Sequence, residues 1–259
     1  MKHLFVFGLA ILLFSTTAAA QKTFKKAFSG AAQKVNITVE KTELQIIGYS
    51  GNELIVETTD DLPETPARAK GLKPLYNTAE DNTGLGLEIH EAGGVMTIKK
   101  ARFADVSYKI KVPVNADVKV EVLDWQSADI HMKDMNGEIE IIGKGSNIKL
   151  ENITGPVVCN TVNGNAEVTF SKLNQSKPTH ISTVNGFVDV TIPGETKSKV
   201  SFYTINGEAY TDVDLKFAET ENSKGLKAIR RTVNDATLNG GGVELTLKSI
   251  NGDLYLRKK

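Results

Sequence analysis

The sequence predicts an all-β protein, a β-solenoid or β-helix in which each coil is a repeat of about 22 residues. Three observations predict this fold class. A short segment containing Asn-Gly recurs five times, apolar and polar residues alternate after each Asn-Gly, and no long segment shows the period of a helix. The five copies are KDMNGEIEIIG (133–143), NTVNGNAEVTF (160–170), STVNGFVDVTI (182–192), YTINGEAYTDV (203–213) and KSINGDLYLRK (248–258).

The spacing of the copies favours a solenoid over a β-meander. Asn163 and Asn185 are 22 residues apart, and Asn185 and Asn206 are 21 apart. From Asn206 to Asn251 there are 45 residues, close to two such periods. In a meander, Asn-Gly would form hairpin turns, and turn signals would recur every 8 to 12 residues or so. We therefore expect Asn-Gly at a corner of each coil, where glycine accepts a positive φ, with Asn163, Asn185 and Asn206 stacked in successive coils.

The alternation after each Asn-Gly assigns the side chains to two faces. One further inward residue is expected directly before each Asn. The residues expected to face inward are Ile139, Ile141, Ala166, Val168, Phe170, Val188, Val190, Ile192, Ala209, Val213, Leu254 and Leu256, preceded by Met135, Val162, Val184, Ile205 and Ile250. Those expected to face outward are Glu138, Glu140, Asn165, Glu167, Thr169, Phe187, Asp189, Thr191, Glu208, Tyr210, Asp212, Asp253, Tyr255 and Arg257.

Residues 1–20 have the layout of a secretory signal peptide. Lys2 and His3 precede an apolar run, and the small residues STTAAA precede Gln21. The apolar run is too short to span a hydrocarbon core, so we expect cleavage and export to the periplasm, the outer membrane or the extracellular space. The remaining chain, 21–259, is expected to form a single adhesin-like β-solenoid domain.

Two parts are expected within this domain. Residues 21–123 predict irregular β structure, and residues 124–259 contain the Asn-Gly repeats. A proline-rich polar stretch at 59–85 predicts a long loop, and a second polar stretch at 216–242 interrupts the last period.

Composition and charge exclude several classes of partner. Lys and Arg together number 31, as do Asp and Glu, so no net charge attracts nucleic acid or an anionic membrane. No segment after the N-terminal one is long and apolar enough for a transmembrane helix. Cys159 is the only cysteine, which excludes an internal disulfide, and we expect it to pack in or near a strand.

Sequence motifs for catalysis or cofactor binding are missing. His90, His131 and His180 are scattered without metal-ligand spacing, and the chain has no G-x-S-x-G, P-loop or dinucleotide fingerprint. We therefore expect no catalytic residues, no metal and no cofactor, and a protein that is not an enzyme.

The candidate site is the outward face of the repeats. Stacked in register, Glu140, Glu167 and Asp189 would lie about 4.8 Å apart. Like charges at that distance must be solvated, splayed, or bridged by cations or a basic partner. Tyr210 and Tyr255 hold the same position after their own Asn-Gly, and aromatic residues on rigid strands suit carbohydrate or protein contact. These five residues form the predicted partner-binding face, and Trp125 and Phe103 are expected to cap the open N-terminal end of the stack.

The Asn-Gly strands, with YKIKVPVNADVKVEV (108–122) before them and GGGVELTLKSINGDLYLRK (240–258) at the end, resemble the bacterial putative-adhesin family of β-strand-repeat proteins, which is related to the auto-transporter adhesin head domain. The resemblance covers nearly all of 21–259. It implies a right-handed β-solenoid, export, and no assigned catalytic residues. The chain departs from the pattern at 124–127, where DWQS replaces an expected Asn-Gly corner.

The expected function is therefore that of an exported, non-enzymatic adhesin-like module that contacts an envelope, glycan or protein surface. The alternative is a carbohydrate-binding or carbohydrate-cleaving β-helix protein. Glycosidases need paired carboxylates, one of which must lie in an environment that raises its pKa, and the sequence shows no such environment.

Overall fold

The computed structural model describes residues 21–30, 33–64, 66–72, 75, 79–126, 129–217 and 232–259. The predicted signal peptide at 1–20 lies outside the described residues. The described residues contain no α-helix; the single helical turn is a 3₁₀ turn at Ala67–Ala69. The all-β prediction is therefore confirmed.

The strands are numbered in chain order. Those of the first part are β1 (Lys22–Ala27), β2 (Lys34–Val39), β3 (Leu44–Tyr49), β4 (Glu53–Thr58), β5 (Leu87–Ala92), β6 (Val95–Lys100), β7 (Tyr108–Pro113) and β8 (Asp117–Val122). Those of the second part are β9 (Ile130–Met135), β10 (Ile139–Ile142), β11 (Ile148–Ile153), β12 (Val157–Asn163), β13 (Ala166–Phe170), β14 (Thr179–Asn185), β15 (Val188–Ile192), β16 (Ser198–Tyr203), β17 (Ala209–Thr211), β18 (Leu215–Lys216), β19 (Thr232–Leu238), β20 (Val243–Lys248) and β21 (Leu254–Lys258).

These strands form two mixed sheets with the apolar core between them. Sheet A has the order β1-β4-β7-β3-β9-β11-β13-β15-β21-β17. Sheet B has the order β18-β19-β16-β20-β14-β12-β10-β8-β2-β6-β5. From β8 to β17 successive strands alternate between the sheets. From β8 to β13 each strand pairs in parallel with the strand two places further along the chain. We call a sheet B strand and the sheet A strand that follows it a two-strand unit.

The order of the units in the stack differs from their order in the chain. The last unit, β20–β21, lies between β14–β15 and β16–β17. Asn251 Nδ2 therefore donates to Asn185 Oδ1 (2.7 Å), and Asn206 Nδ2 donates to Asn251 Oδ1 (2.8 Å). The expectation that Asn206 stacks directly on Asn185 is wrong, because the β20–β21 unit, which has the same Asn-Gly corner, lies between them. Asn163 and Asn185 are neighbours as expected, at 2.7 Å.

The Asn-Gly at Asn136 belongs to the opposite edge of the molecule. It joins β9 of sheet A to β10 of sheet B, whereas Asn163-Gly164 joins a sheet B strand to a sheet A strand. Asn136 Nδ2 donates to Asn115 Oδ1 (3.1 Å), and Thr154 Oγ1 donates to Asn136 Oδ1 (2.6 Å). The repeat length also varies, since Asn136 is 21 residues from Asn115 and 18 from Thr154, whereas Asn163 and Asn185 are 22 apart.

Close approach, not a positive φ, explains glycine at the corners. A Cβ on Gly164 would lie 2.1 Å from the carbonyl oxygen of Ser146 in the unit below, and one on Gly186 would lie 2.1 Å from that of Gly164. Gly252 and Gly207 repeat the contact at 1.9 and 2.1 Å. Of these four glycines, only Gly186 has a positive φ, at 155°. The expected reason for glycine therefore holds at Gly186 and is wrong for Gly164, Gly207 and Gly252, whereas close approach applies to all four.

At each of these four corners a buried hydroxyl lies two residues before Asn. Thr183 Oγ1 donates to the Gly164 carbonyl (2.8 Å), and Ser249 Oγ donates to the Gly186 carbonyl (2.9 Å). These bonds satisfy carbonyls that would otherwise be buried without partners. The residue directly before Asn therefore faces outward, which corrects the expectation for Val162, Val184, Ile205 and Ile250. Met135, at the opposite edge, is buried as expected.

The inward residues of the repeats otherwise form the core, with one exception. Ala209 is exposed, because it lies in β17, the last strand of sheet A. The polar stretch at 216–242 contains β19, which pairs antiparallel with β16. At the other end the stack is covered by antiparallel strands, β5 on β6 and β1–β4 on β7. Trp125 and Phe103 are 62% and 66% exposed, so the expectation that they cap this end is wrong.

Replacing Gly164 by alanine tests the corner contact. Because backbone surrounds the added methyl group, we expect Gly164→Ala to lower the free energy of unfolding by about 3 kcal/mol. Gly30→Ala is the control, since its Cβ would meet nothing closer than 3.4 Å, and should change stability by less than about 1 kcal/mol. Urea denaturation measures both; equal losses would contradict the close-approach explanation.

The neighbours Val188 and Asp189 test the assignment of faces. Val188 is fully buried, so Val188→Asp should cost about 3 kcal/mol or more by placing a charge in the core. Asp189 faces solvent, so Asp189→Ser should cost less than about 1 kcal/mol even though it loses an ion pair. Thermal denaturation followed by circular dichroism compares the two variants, and similar losses would show that the faces are assigned wrongly.

Candidate interaction face on sheet A

Four of the five predicted face residues form one row on sheet A. Glu167 of β13 is the cross-strand partner of Asp189 in β15, and Asp189 is the partner of Tyr255 in β21. Tyr255 in turn is the partner of Tyr210 in β17. The order along the stack is thus Glu167, Asp189, Tyr255, Tyr210. We call this row the sheet A row.

Glu140 is not in this row. It lies in β10 of sheet B, because Asn136-Gly137 forms the opposite corner and the same number of residues therefore leads into the other sheet. Glu140 accepts a hydrogen bond from Lys119 of the adjacent β8 at 2.7 Å, and this bond raises the pKa of Lys119. The prediction that Glu140 shares a face with Glu167 and Asp189 is wrong.

Two acids of the outward surface of sheet A are paired with bases from the same or a neighbouring strand. Arg257 Nε donates to both carboxylate oxygens of Asp189, at 2.9 and 3.0 Å, and these hydrogen bonds raise the pKa of Arg257. Glu151, in the adjoining row, accepts from Lys149 and His131, which together lower its pKa. Within the described ranges no group of three or more His, Cys, Asp or Glu side chains is arranged to hold a metal ion.

An aromatic cluster occupies the end of the sheet A row that lies at β17. The rings of Tyr210 and Tyr255 are stacked, with centroids 5.4 Å apart and an interplanar angle of 15°. Phe187 meets Tyr255 edge-on at 6.2 Å and 81°. The guanidinium of Arg257 lies over the Tyr255 ring, 5.2 Å from its centroid, as a cation–π contact. Tyr210, the outermost ring, is 51% exposed.

A network of polar contacts holds this cluster in place. The Tyr255 hydroxyl donates to Asp253 Oδ2 (3.1 Å); partial desolvation and this hydrogen bond raise the pKa of Tyr255. Arg257 is held at once by Asp189 and by the face of Tyr255. The result is a surface on three adjacent strands, β15, β21 and β17, with two stacked rings at one end and an ion pair beside them. Such a surface can stack on a sugar ring or a planar side chain.

Sequence reasoning assigned Asp253 and Arg257 to the outward face but missed their roles. Arg257 follows Tyr255 by two residues, which predicts the same face and nothing more. Its pairing with Asp189, 68 residues away in the chain, depends on the insertion of β21 beside β15. That insertion leaves no signal in the spacing of the repeats.

The other titratable residues of interest lie apart from this cluster. His90 is exposed beside Glu88, and His131 pairs with Glu151. His180 is half-buried in sheet B, and burial lowers its pKa. These histidines do not converge on one point.

Comparison with known proteins identifies no family. No family model and no curated protein matches the chain. A solved structure of a putative cell adhesion protein from Clostridium sporogenes ATCC 15579 is similar to 93% of this chain and 100% of its own, with 11% identity and a TM-score of 0.45. A likeness this distant assigns no function. No helix in the described residues is long and apolar enough to cross a membrane.

The thiol of Cys159 should be unreactive in the folded protein. Cys159 is completely buried in β12, and burial raises its pKa from 9.0 to about 12. A thiol-specific reagent at pH 8 should therefore modify it only after denaturation, as measured by mass spectrometry. Because the folded pKa exceeds the unfolded one, this residue should also make stability fall as the pH rises from 9.0 towards 12. Rapid labelling under native conditions would contradict the burial.

Proposed function

We propose that this protein is an exported, non-enzymatic, adhesin-like module whose two-strand units make a right-handed β-solenoid, and that it binds an envelope, glycan or protein surface. The parallel register of the units and the asparagine hydrogen bonds between them support the solenoid. The signal-like sequence at 1–20 supports export.

The observation that carries the binding proposal is the aromatic cluster of Phe187, Tyr255 and Tyr210 with Arg257. Its rings and guanidinium lie on rigid strands, so little side-chain entropy is lost when a partner binds. Tyrosine and arginine are also the residue types that contribute most at protein interfaces. The partner-binding face is therefore proposed as Glu167, Asp189, Tyr210 and Tyr255, with Arg257 and Phe187 added to it.

Two features of the carboxylates in the described residues support a role without catalysis. Asp189, the acid nearest the aromatic cluster, is held by both oxygens in an ion pair with Arg257. The carboxyl groups of Asp81, Glu88, Glu91 and Glu151 have their pKa values lowered, the opposite of what the general acid of a glycosidase needs.

Carbohydrate binding without cleavage is the second candidate, and the parallel rings of Tyr210 and Tyr255 favour it. A pyranose presents an apolar face that stacks on an aromatic ring, while the nearby carboxylates and guanidinium can bond its hydroxyls. Glycans are therefore the first partners to test. Carbohydrate cleavage has no comparable observation in its favour.

Replacing both tyrosines tests the proposed face. For the chain from residue 21 onward, we expect Tyr210→Ala with Tyr255→Ala to weaken binding to a glycan array or to isolated envelopes by about tenfold or more, since two anchors are lost. The control is Phe103→Ala, which removes a 66% exposed ring outside the proposed face and should leave binding unchanged. Polysaccharide turnover is measured in parallel. Binding unaffected by the double change would reject this face, and turnover abolished by Asp189→Asn would reject the non-enzymatic role.

A further inference from the structure

Sheet A ends on an open strand edge at β17. In the part of the chain that the structure describes, β17 pairs with β21 on one side and with no strand on the other. Leu254 N donates to the Glu208 carbonyl at 2.8 Å, and hydrogen-bonded residues alternate along a parallel strand. The backbone groups of Ala209 and Thr211 therefore point away from β21. All residues of β17 are exposed, so these groups are available to a further strand.

The surroundings of this edge are acidic and partly apolar. Glu208 precedes β17, and Asp212 and Asp214 follow it; all three are exposed. Tyr210 presents the outer face of its ring at the same edge, and Phe217 nearby is 59% exposed. Soluble monomers seldom combine an open strand edge with exposed rings unless a partner covers them.

The opposite end of sheet A is also an open edge, and it is basic. Strand β1, with the sequence KTFKKA, pairs with β4 and with no other strand among the described residues. It carries Lys22, Lys25 and Lys26 and no acid. Lys22 bonds Asp61 at 2.9 Å, while Lys25 is exposed on the outer face.

The strand directions allow the two ends to meet. β1 is antiparallel to β4, β4 is antiparallel to β7, and β7 and the strands that follow it in sheet A are parallel to one another. β1 thus runs in the same direction as β17. A second copy moved along the stack can place its β1 beside β17 as a parallel strand and continue sheet A.

We propose that copies of this protein associate head to tail, with β1 of one copy pairing with β17 of the next. The charges favour this arrangement over the two symmetric ones. Pairing β17 with β17 would place acids opposite acids, and pairing β1 with β1 would place lysines opposite lysines. The contact is heterologous, so it leaves one free edge at each end and can grow into a chain of copies. It goes beyond the proposed function and does not depend on the identity of any partner.

The test uses the chain from residue 21 onward, which contains every described strand. Sedimentation velocity should show the average mass rising with protein concentration, and less so in high salt, because the charges at the contact are exposed. Ala209→Pro removes an outward N–H without removing a bond to β21 and should abolish the association. Ala209→Val keeps the N–H and is the matched control; it should associate like the unmodified protein. Circular dichroism and thermal denaturation establish that each variant is folded.

A mixing experiment distinguishes head-to-tail from symmetric association. Lys25→Glu combined with Lys26→Glu should block the β1 edge, and Ala209→Pro should block the β17 edge, so each variant alone should be monomeric. Mixed, they should form a 1:1 dimer through the intact β17 edge of the lysine variant and the intact β1 edge of the proline variant. This dimer should grow no further, because both of its remaining edges are blocked.

Three results would overturn the proposal. The first is a mass independent of concentration in low salt for the unmodified protein. The second is association of the lysine variant by itself, which would indicate β17 against β17. The third is association unaffected by Ala209→Pro. Because the readout is mass, loss of association and loss of partner binding in the tyrosine variant are separate outcomes.

Discussion

The close stacking of glycine on the carbonyl group beneath it is the contact on which the rest of this structure depends. Parallel strands lie about 4.8 Å apart, and at the corner the chain must turn without spreading that distance. Gly186 allows this because its Cα lies over the carbonyl of Gly164, which accepts a hydrogen bond from the buried Thr183 hydroxyl. Outside the core, the side-chain amide of Asn185 donates a hydrogen bond to Asn163 and so keeps the same distance between the two strands. One corner thus satisfies its buried polar groups and keeps the strands in register.

Fixed register is what arranges the side chains of successive strands into the surface proposed to bind a partner. Side chains at equivalent positions form rows one strand apart, so each charge or ring meets a partner from the adjacent unit. Along sheet A this brings Asp189 to Arg257 and Tyr255 to Tyr210, although those residues come from three different repeats. A surface made of side chains on paired strands suits many weak contacts with an extended partner better than the enclosure of one small substrate.

The insertion of the last unit gives the C-terminal residues a structural role. β20–β21 separates β14–β15 from β16–β17, so both sheets are continuous only when residues 243–258 are in place. The stacked asparagines bridge 66 residues on one side of Asn251 and 45 on the other. Contacts over such distances cost more loop-closure entropy than contacts between consecutive repeats. The hydrogen bonds that Asn251 forms with both matching corners, at Asn185 and at Asn206, offset part of this entropic cost.

The sequence by itself determined the class of fold and most of the faces. The period-two alternation predicted which residues of β13, β15 and β21 are buried, and the repeated Asn-Gly predicted stacked corners, because both depend on local backbone geometry. It also predicted that Glu167, Asp189, Tyr210 and Tyr255 share a face. Only the tertiary structure decided that Glu140 lies on the other sheet, that β21 intervenes between β15 and β17, and that Arg257 pairs with Asp189. Those features depend on which edge a corner occupies and which strand edge a unit joins, and identical Asn-Gly corners carry no information about either.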